Sequence, residues 1–153
     1  PRLLLAGPNL SRGDYGLLKI VEEAGGDIVM EDVFEGIRYY RHNIEKNGDP
    51  IESIAMGYLR GRMPGAFMRS STKKRLEFLL DLIKGFNVSG VIWYELLCCE
   101  FYDEESYLFD KRLREIGIPM LTVESNYDIS EAGPLKTRIE AFIEMIKGGL
   151  FND

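Results

Sequence analysis

The chain has 153 residues, 45% of them hydrophobic and 29% charged, with 16 glycines and 6 prolines, values that fit one globular domain and exclude a disordered, collagenous or coiled-coil chain. A net charge of −6 opposes broad association with a nucleic-acid backbone, and apolar runs such as Leu3 to Ala6 fall far short of the ~20 residues that span a membrane. Without a basic region, apolar run and small-residue cleavage site at its start, the chain is expected to be cytoplasmic, and Pro1 in place of methionine points to a piece of something longer.

Arg2 to Ala6, stopped by Gly7-Pro8-Asn9, reads as a first strand covered on both faces, because its leucines do not alternate with polar residues. A helix from Tyr15 to Ala24 follows, capped by Asp14, with Leu17, Leu18, Val21 and Ala24 at helical spacing and Gly25-Gly26 as its stop. Asp27 to Met30 forms a second strand. The stretch from Asp32 to Asn47 is ambiguous, with a short helix around Tyr39-Tyr40. Asp49 as cap, Pro50 at the first helical position and Glu52 three residues after the cap specify a helix to Leu59. After a loop with Gly61, Pro64 and Gly65, one of Ser70, Ser71 or Thr72 caps an amphipathic helix through Leu76, Leu79, Leu80 and Ile83 to Gly85.

Val88 to Tyr94, rich in β-branched and aromatic residues, reads as a central strand that ends just before Cys98-Cys99. Asp103 opens a charged helix through Ile116 closed by Gly117, Ile118 to Val123 is the fourth strand, and a last helix runs from Leu135 to Lys147, its Ile139, Phe142, Ile143 and Ile146 forming a packing face. This alternation predicts a three-layer Rossmann-like or flavodoxin-like α/β domain over residues 1–153, with four parallel strands covered by helices on both faces. In such sheets ligands lie beyond the carboxyl ends of the strands, which puts Cys98 and Cys99 on the ligand-facing rim.

Two adjacent cysteines cannot staple a scaffold, and a disulfide between them would be strained, so a reducing compartment is expected. On residue type alone, a cysteine on that rim is a metal ligand, a nucleophile or a small packed hydrophobe, the last weighing about as much as the other two together. Two thiols and His42 do not make a zinc site, so any metal held here needs ligands from outside the domain. His42, with no acid at a motif spacing, reads as a surface or capping residue. The turn from Gly7 to Gly16 matches neither a dinucleotide fingerprint nor a P-loop. Arg60, Arg62, Arg69, Lys73, Lys74 and Arg75 form a basic run without an acidic residue, suited to a polyphosphate such as coenzyme A, to a partner, or to plain solvent. The acidic run Glu100, Asp103, Glu104 and Glu105 reads as complementing a helix N-terminus. Trp93, Tyr94 and most other aromatics read as packing.

With these segments placed, the chain resembles the C-terminal domain of the 2-hydroxyacyl-CoA dehydratase family, relatives of the benzoyl-CoA reductase subunits. Three stretches carry the resemblance: Glu31-Asp32-Val33-Phe34-Glu35-Gly36-Ile37-Arg38-Tyr39-Tyr40; Gly90-Val91-Ile92 leading nine residues on to Cys99; and Gly133-Pro134-Leu135-Lys136-Thr137-Arg138-Ile139-Glu140-Ala141-Phe142-Ile143-Glu144. The fragment Lys111 to Pro119 lies at the family's distance from the cysteine, which favours Cys99 over Cys98 as the counterpart. The resemblance implies that Cys99 is one of three cysteines holding a four-iron four-sulfur (4Fe-4S) cluster, the other two coming from a preceding domain of a longer dehydratase-component chain. It further implies an ATP-dependent activator protein that supplies one electron, a second dehydratase subunit, and dehydration of an acyl-CoA through a ketyl radical anion. Arg60, Arg62 and Arg69 are then candidates for the coenzyme A phosphates or a partner; no catalytic acid or base is identified. Two departures stand out: Leu97-Cys98-Cys99-Glu100-Phe101 replaces the family's usual Lys-Phe-Cys-Asp-Pro, and Met63-Pro64-Gly65 lacks the cysteine that many relatives carry after the proline. The alternatives are a Rossmann-like subunit or module that binds an acyl-CoA or redox partner without a cluster, and an unrelated small-ligand domain in which Cys99 is merely packed.

Overall fold

The leucine run at the start of the chain forms β1 (Arg2–Ala6), the second strand of a sheet whose order is β2-β1-β3-β4 and whose pairings are all parallel. This computed structural model describes residues 1–10, 15–46, 48–66, 69–126 and 132–149. The remaining elements are α1 (Gly16–Glu23), β2 (Asp27–Asp32), α2 (Pro50–Met56), α3 (Thr72–Phe86), β3 (Gly90–Leu96), α4 (Glu100–Arg114), β4 (Met120–Ser125) and α5 (Ala132–Lys147). The three-layer α/β architecture is the one the sequence predicts. Asp14, the expected cap of α1, lies outside the described residues.

Side chains of a strand alternate between faces, and the core divides accordingly. Leu4, Ala6, Val91 and Trp93 pack under α3 and α4 against Phe78, Leu79, Leu82, Phe109 and Leu113. Leu3, Leu5, Ile92 and Tyr94 pack under α1 and α5 against Leu17, Val21, Ile139, Phe142 and Ile143. The apolar face of α5 is therefore an internal one, and Trp93, edge-on to Phe109 at 5.1 Å, is core as expected.

Several boundaries differ from the periodicity for one recurring reason. Three helices end on a left-handed residue followed by an N–H that returns five residues: Gly25 with Gly26 N to Val21 O, Asn87 with Val88 N to Ile83 O, and Gly117 with Ile118 N to Leu113 O. Val88 and Ile118 thus belong to helix exits, so β3 and β4 each begin two residues later than expected, and α3 runs to Phe86 with Asn87 as its cap rather than ending at Gly85. At their far ends β2 and β3 run on through Asp32 and Leu96, because Glu31 and Asp32 still pair with Leu5 and Ala6, and Glu95 and Leu96 with Glu124 and Ser125. α4 starts at Glu100, three residues earlier than expected, with Cys99 as its N-cap residue, and α5 starts at Ala132 instead of Leu135. Asp49 caps α2 as expected, accepting from the N–H groups of Ile51 and Glu52, but the helix gives way after Met56 to a π turn over Gly57–Gly61. Ser71 occupies the N-cap of α3 without a side-chain cap bond, and the ambiguous stretch after β2 holds the 3-10 turn Ile37–Tyr39.

Candidate functional site

In this strand order the chain leaves β1 and β3 toward opposite neighbours, so the crevice at their carboxyl ends is the place where such sheets take ligands. Gly7 makes the crevice tight. Its φ of +135° is open to glycine, and a Cβ there would collide with the carbonyl oxygen of Tyr94 on β3. Beyond β3 the chain turns through Leu97 and Cys98 into α4. Cys98 is exposed with a left-handed φ of 66°. Cys99 is half-buried on the α3–α4 core, donates its N–H to Leu96 O at 2.9 Å, and accepts from the N–H groups of Tyr102 and Asp103 through its carbonyl. Both thiols are free, and the backbone of Cys99 is fixed on both sides while its sulfur is uncommitted to a disulfide. Among the described residues, no three His, Cys, Asp or Glu side chains converge to hold a metal ion. The sheet edge therefore carries two free cysteine sulfurs, of which the half-buried Cys99 fits one corner of a cluster whose other ligands come from elsewhere.

The helix bearing Cys99 is tied to two other segments by buried charges. Arg38 Nε donates to Asp32 Oδ1 at 2.6 Å, its Nη2 to Asp32 O at 3.1 Å, and its Nη1 to the Tyr102 hydroxyl at 3.3 Å. Burial pushes the Asp32 carboxyl up while Arg38 pulls it part of the way back; burial would also lower Arg38, but Asp32 more than offsets this and keeps it protonated. With contacts this short and both groups almost fully buried, we take the pair as ionic. One helical turn further, Arg75 pairs with Glu105 and donates to Thr72 Oγ1 and to the carbonyls of Gly65 and Ala66, so the Met63-Pro64-Gly65 loop is fastened to α3 and α4 together.

Glu31 organises the turn that carries Arg38. Its carboxylate accepts from Val33 N at 3.0 Å and Ile37 N at 2.7 Å, and it lies where a Cβ on Gly36 would be. Glu31, Asp32, Gly36 and Arg38 of the Glu31 to Tyr40 stretch thereby gain structural tasks, whereas the Tyr40 ring is 80% exposed.

The basic run is divided by the fold. Arg75 is not available to a ligand: it is 1% exposed and paired with Glu105, which is itself a buried partner rather than a complement to a helix end. The burial of Arg75 was legible, since it continues the Phe78-Leu79-Leu82 stripe at i−3, i−4 and i−7. Lys73 is exposed and lies 3.9 Å from Glu77. Arg60 lines a cavity of about 560 Å³ beside Glu45, Asp49 and Glu52. Arg62 lines a separate cavity of about 440 Å³ with Arg38, Tyr39, Tyr40 and Tyr58. The Arg69 side chain lies outside the described residues. His42 is exposed and borders both cavities. Of the three arginines singled out in the sequence, Arg60 and Arg62 thus face different surroundings.

Sequence reading missed Glu95 altogether, because it ended the strand at Tyr94. Glu95 is 8% exposed, and among the described residues its Oε2 and the Trp93 Nε1 are buried without a hydrogen-bond partner. Burial, then the carboxylates of Asp103 and Glu124, push its pKa up to about 6; the nearby Trp93 indole offsets only part of this.

The model of the family described as 2-hydroxyglutaryl-CoA dehydratase, D-component, matches residues 1–146. Over 147 residues, 95% of this chain and 38% of the relative, the sequence is 29% identical to dehydratase subunit YjiM of Escherichia coli (strain K12). It is 25% identical over 130 residues, 85% of this chain and 34% of the relative, to the (R)-phenyllactyl-CoA dehydratase beta subunit of Clostridium sporogenes. It is 20% identical over 147 residues, again 95% and 38%, to a subunit of the benzoyl-CoA reductase of Thauera aromatica. The chain spans little more than a third of the length of these relatives. No helix among the described residues is long and apolar enough to cross a membrane.

Proposed function

The chain belongs to the 2-hydroxyglutaryl-CoA dehydratase D-component family, and on that premise we infer that it is a domain of an iron–sulfur 2-hydroxyacyl-CoA dehydratase component in which Cys99 supplies one thiolate to a 4Fe-4S cluster. The observation that carries this reading is the seat of Cys99: half-buried, its backbone held by Leu96, Tyr102 and Asp103, at the carboxyl end of the central strand beside the β1–β3 crevice. The remaining cluster ligands come from a preceding domain of the parent chain. A cluster held there would supply one electron, delivered by an ATP-dependent activator protein, for loss of the 2-hydroxyl of an acyl-CoA through a ketyl radical anion, and a proton loss with return of the electron would complete the redox-neutral dehydration. This chain's own residues hold the ligand in place: Arg38 and Tyr102 fasten the first turn of α4 to the end of β2, and Arg75 with Glu105 fastens its second turn to the 65–66 loop. Arg62 is the contact we assign to the coenzyme A phosphates.

Two of the relatives are named as single subunits of a dehydratase and of a reductase, which supports a multi-subunit assembly, and in it we place a second dehydratase subunit beside this domain. α2 and the π turn after it support the same reading, for Ile51 in the helix and Leu59 in the turn are 77% and 83% exposed and neither element buries a residue. The reading locates the protein in the cytoplasm, with its acyl-CoA. Its test is a pair of variants in the full-length polypeptide prepared without oxygen. Cys99→Ser should lower bound iron while Cys98→Ser leaves it unchanged, and equal iron in the two would overturn the assignment.

A further inference from the structure

The 440 Å³ cavity between the 3-10 turn and the π turn has a chemistry of its own. At one wall the Arg62 guanidinium lies over two rings, 4.3 Å from the Tyr39 centroid and 3.6 Å from that of Tyr58. Two cation–π contacts hold the group in place, and a planar guanidinium presents its N–H donors in a fixed fork. No carboxylate among the described residues lies within ion-pair distance of it, whereas Arg38 in the same cavity is committed to Asp32. A clamped guanidinium with unused in-plane donors is a receptor for an oxyanion. Aromatic surface stands beside it: Tyr40 and Tyr58 are 80% and 54% exposed, and the volume falls within the ~300 to 1,000 Å³ of small-molecule sites. The neighbouring cavity sets Arg60 among Glu45, Asp49 and Glu52, a lining whose carboxylates disfavour phosphate.

We propose that this cavity binds an adenine nucleotide moiety, the ring packed among Tyr40, Tyr58 and His42 and one phosphate on the in-plane donors of Arg62. The proposal rests on the acyl-CoA reading above and deepens it: the 3′-phosphoadenosine end of coenzyme A has this chemistry, and so has free ADP. Glu35 in the wall disfavours a second phosphate inside the cavity, so the rest of the ligand leaves toward solvent.

The test titrates the full-length polypeptide that contains this domain by calorimetry with adenosine 3′,5′-bisphosphate, dephospho-CoA, ADP and inorganic phosphate. The bisphosphate is expected to saturate, dephospho-CoA to bind more weakly, and phosphate alone to bind weakest. Arg62→Met should weaken the bisphosphate at least about tenfold, the equivalent of one charge-assisted hydrogen bond, with Lys74→Met unchanged. Should Arg62→Met fold poorly by circular dichroism, Arg62→Lys, which keeps the charge but not the plane, should still show part of the loss. Absence of any nucleotide binding at millimolar concentration, or binding that Arg62 variants leave intact, overturns the site. ADP binding as tightly as the bisphosphate overturns its assignment to coenzyme A. None of these titrations depends on iron, so the cluster assignment and the nucleotide site can fail separately.

Discussion

Glu95→Gln is expected to stabilise the chain at neutral pH, a direction opposite to that of most substitutions at buried positions. The folded chain holds the Glu95 carboxyl at about 6 against a reference of 4.5, chiefly through burial and then through Asp103 and Glu124. A folded pKa above the unfolded one means that the folded state keeps a proton the unfolded state has already released, so stability falls as pH rises between 4.5 and about 6, and the loss is complete above that window. At ~1.4 kcal/mol per pH unit the displacement corresponds to about 2 kcal/mol, of which the new buried amide, with polar atoms of its own to desolvate, gives back part and leaves about 1 kcal/mol. An amide of the same shape has no charge to bury. Urea denaturation followed by circular dichroism should therefore show the variant ~1 kcal/mol more stable near neutrality, with a Tm higher by ~2 to 4 °C, and the two proteins converging below pH 4.5. A difference that does not change with pH, or a less stable variant near neutrality, would refute the argument that Glu95 is a strained carboxylate.

Two further substitutions probe the frame around Cys99. Asp32→Ala leaves the Arg38 guanidinium buried without its carboxylate, and a loss of ~3 to 5 kcal/mol is expected in denaturant titrations, far more than for an exposed pair such as Lys73–Glu77. Gly7→Ala combines a φ of +135° with a collision against the Tyr94 carbonyl, so it should cost more than ~2 kcal/mol by the same measurement.

Layer architecture was readable because the signals for it are local and repeated. The Leu3 to Ala6 run, the Phe78-Leu79-Leu82-Ile83 stripe and the Ile139-Phe142-Ile143 face each state a period, and each lies in the core where that period puts it. Boundaries were less readable because helix exits consume the next residue: nothing in Val88 or Ile118 as residue types announces that their N–H groups return to the preceding helix. The frame of the site was harder still. Arg38–Asp32 and Arg75–Glu105 join residues 6 and 30 positions apart through burial, and burial of a charge is decided by tertiary packing more than by local pattern. In the sequence Arg75 reads as one more cation in an exposed run unless the helical stripe is extended back to it, and Glu105 as one more acid in a helix's first turns. Cys99 is singled out by family resemblance alone, and its position just beyond the strand's end follows from the β-branched run before it. Glu95 was missed because a carboxylate inside a strand covered on both faces looks like the strand's end.

The central claim is that this chain is part of a cluster-bearing dehydratase component, and the most direct measurement is the iron and acid-labile sulfide content of the native full-length polypeptide, isolated without oxygen from its own source. The account predicts about four of each per polypeptide, with the iron lost in Cys99→Ser. A carefully anaerobic preparation free of iron would contradict it and leave a family member that binds acyl-CoA or a redox partner without a cluster.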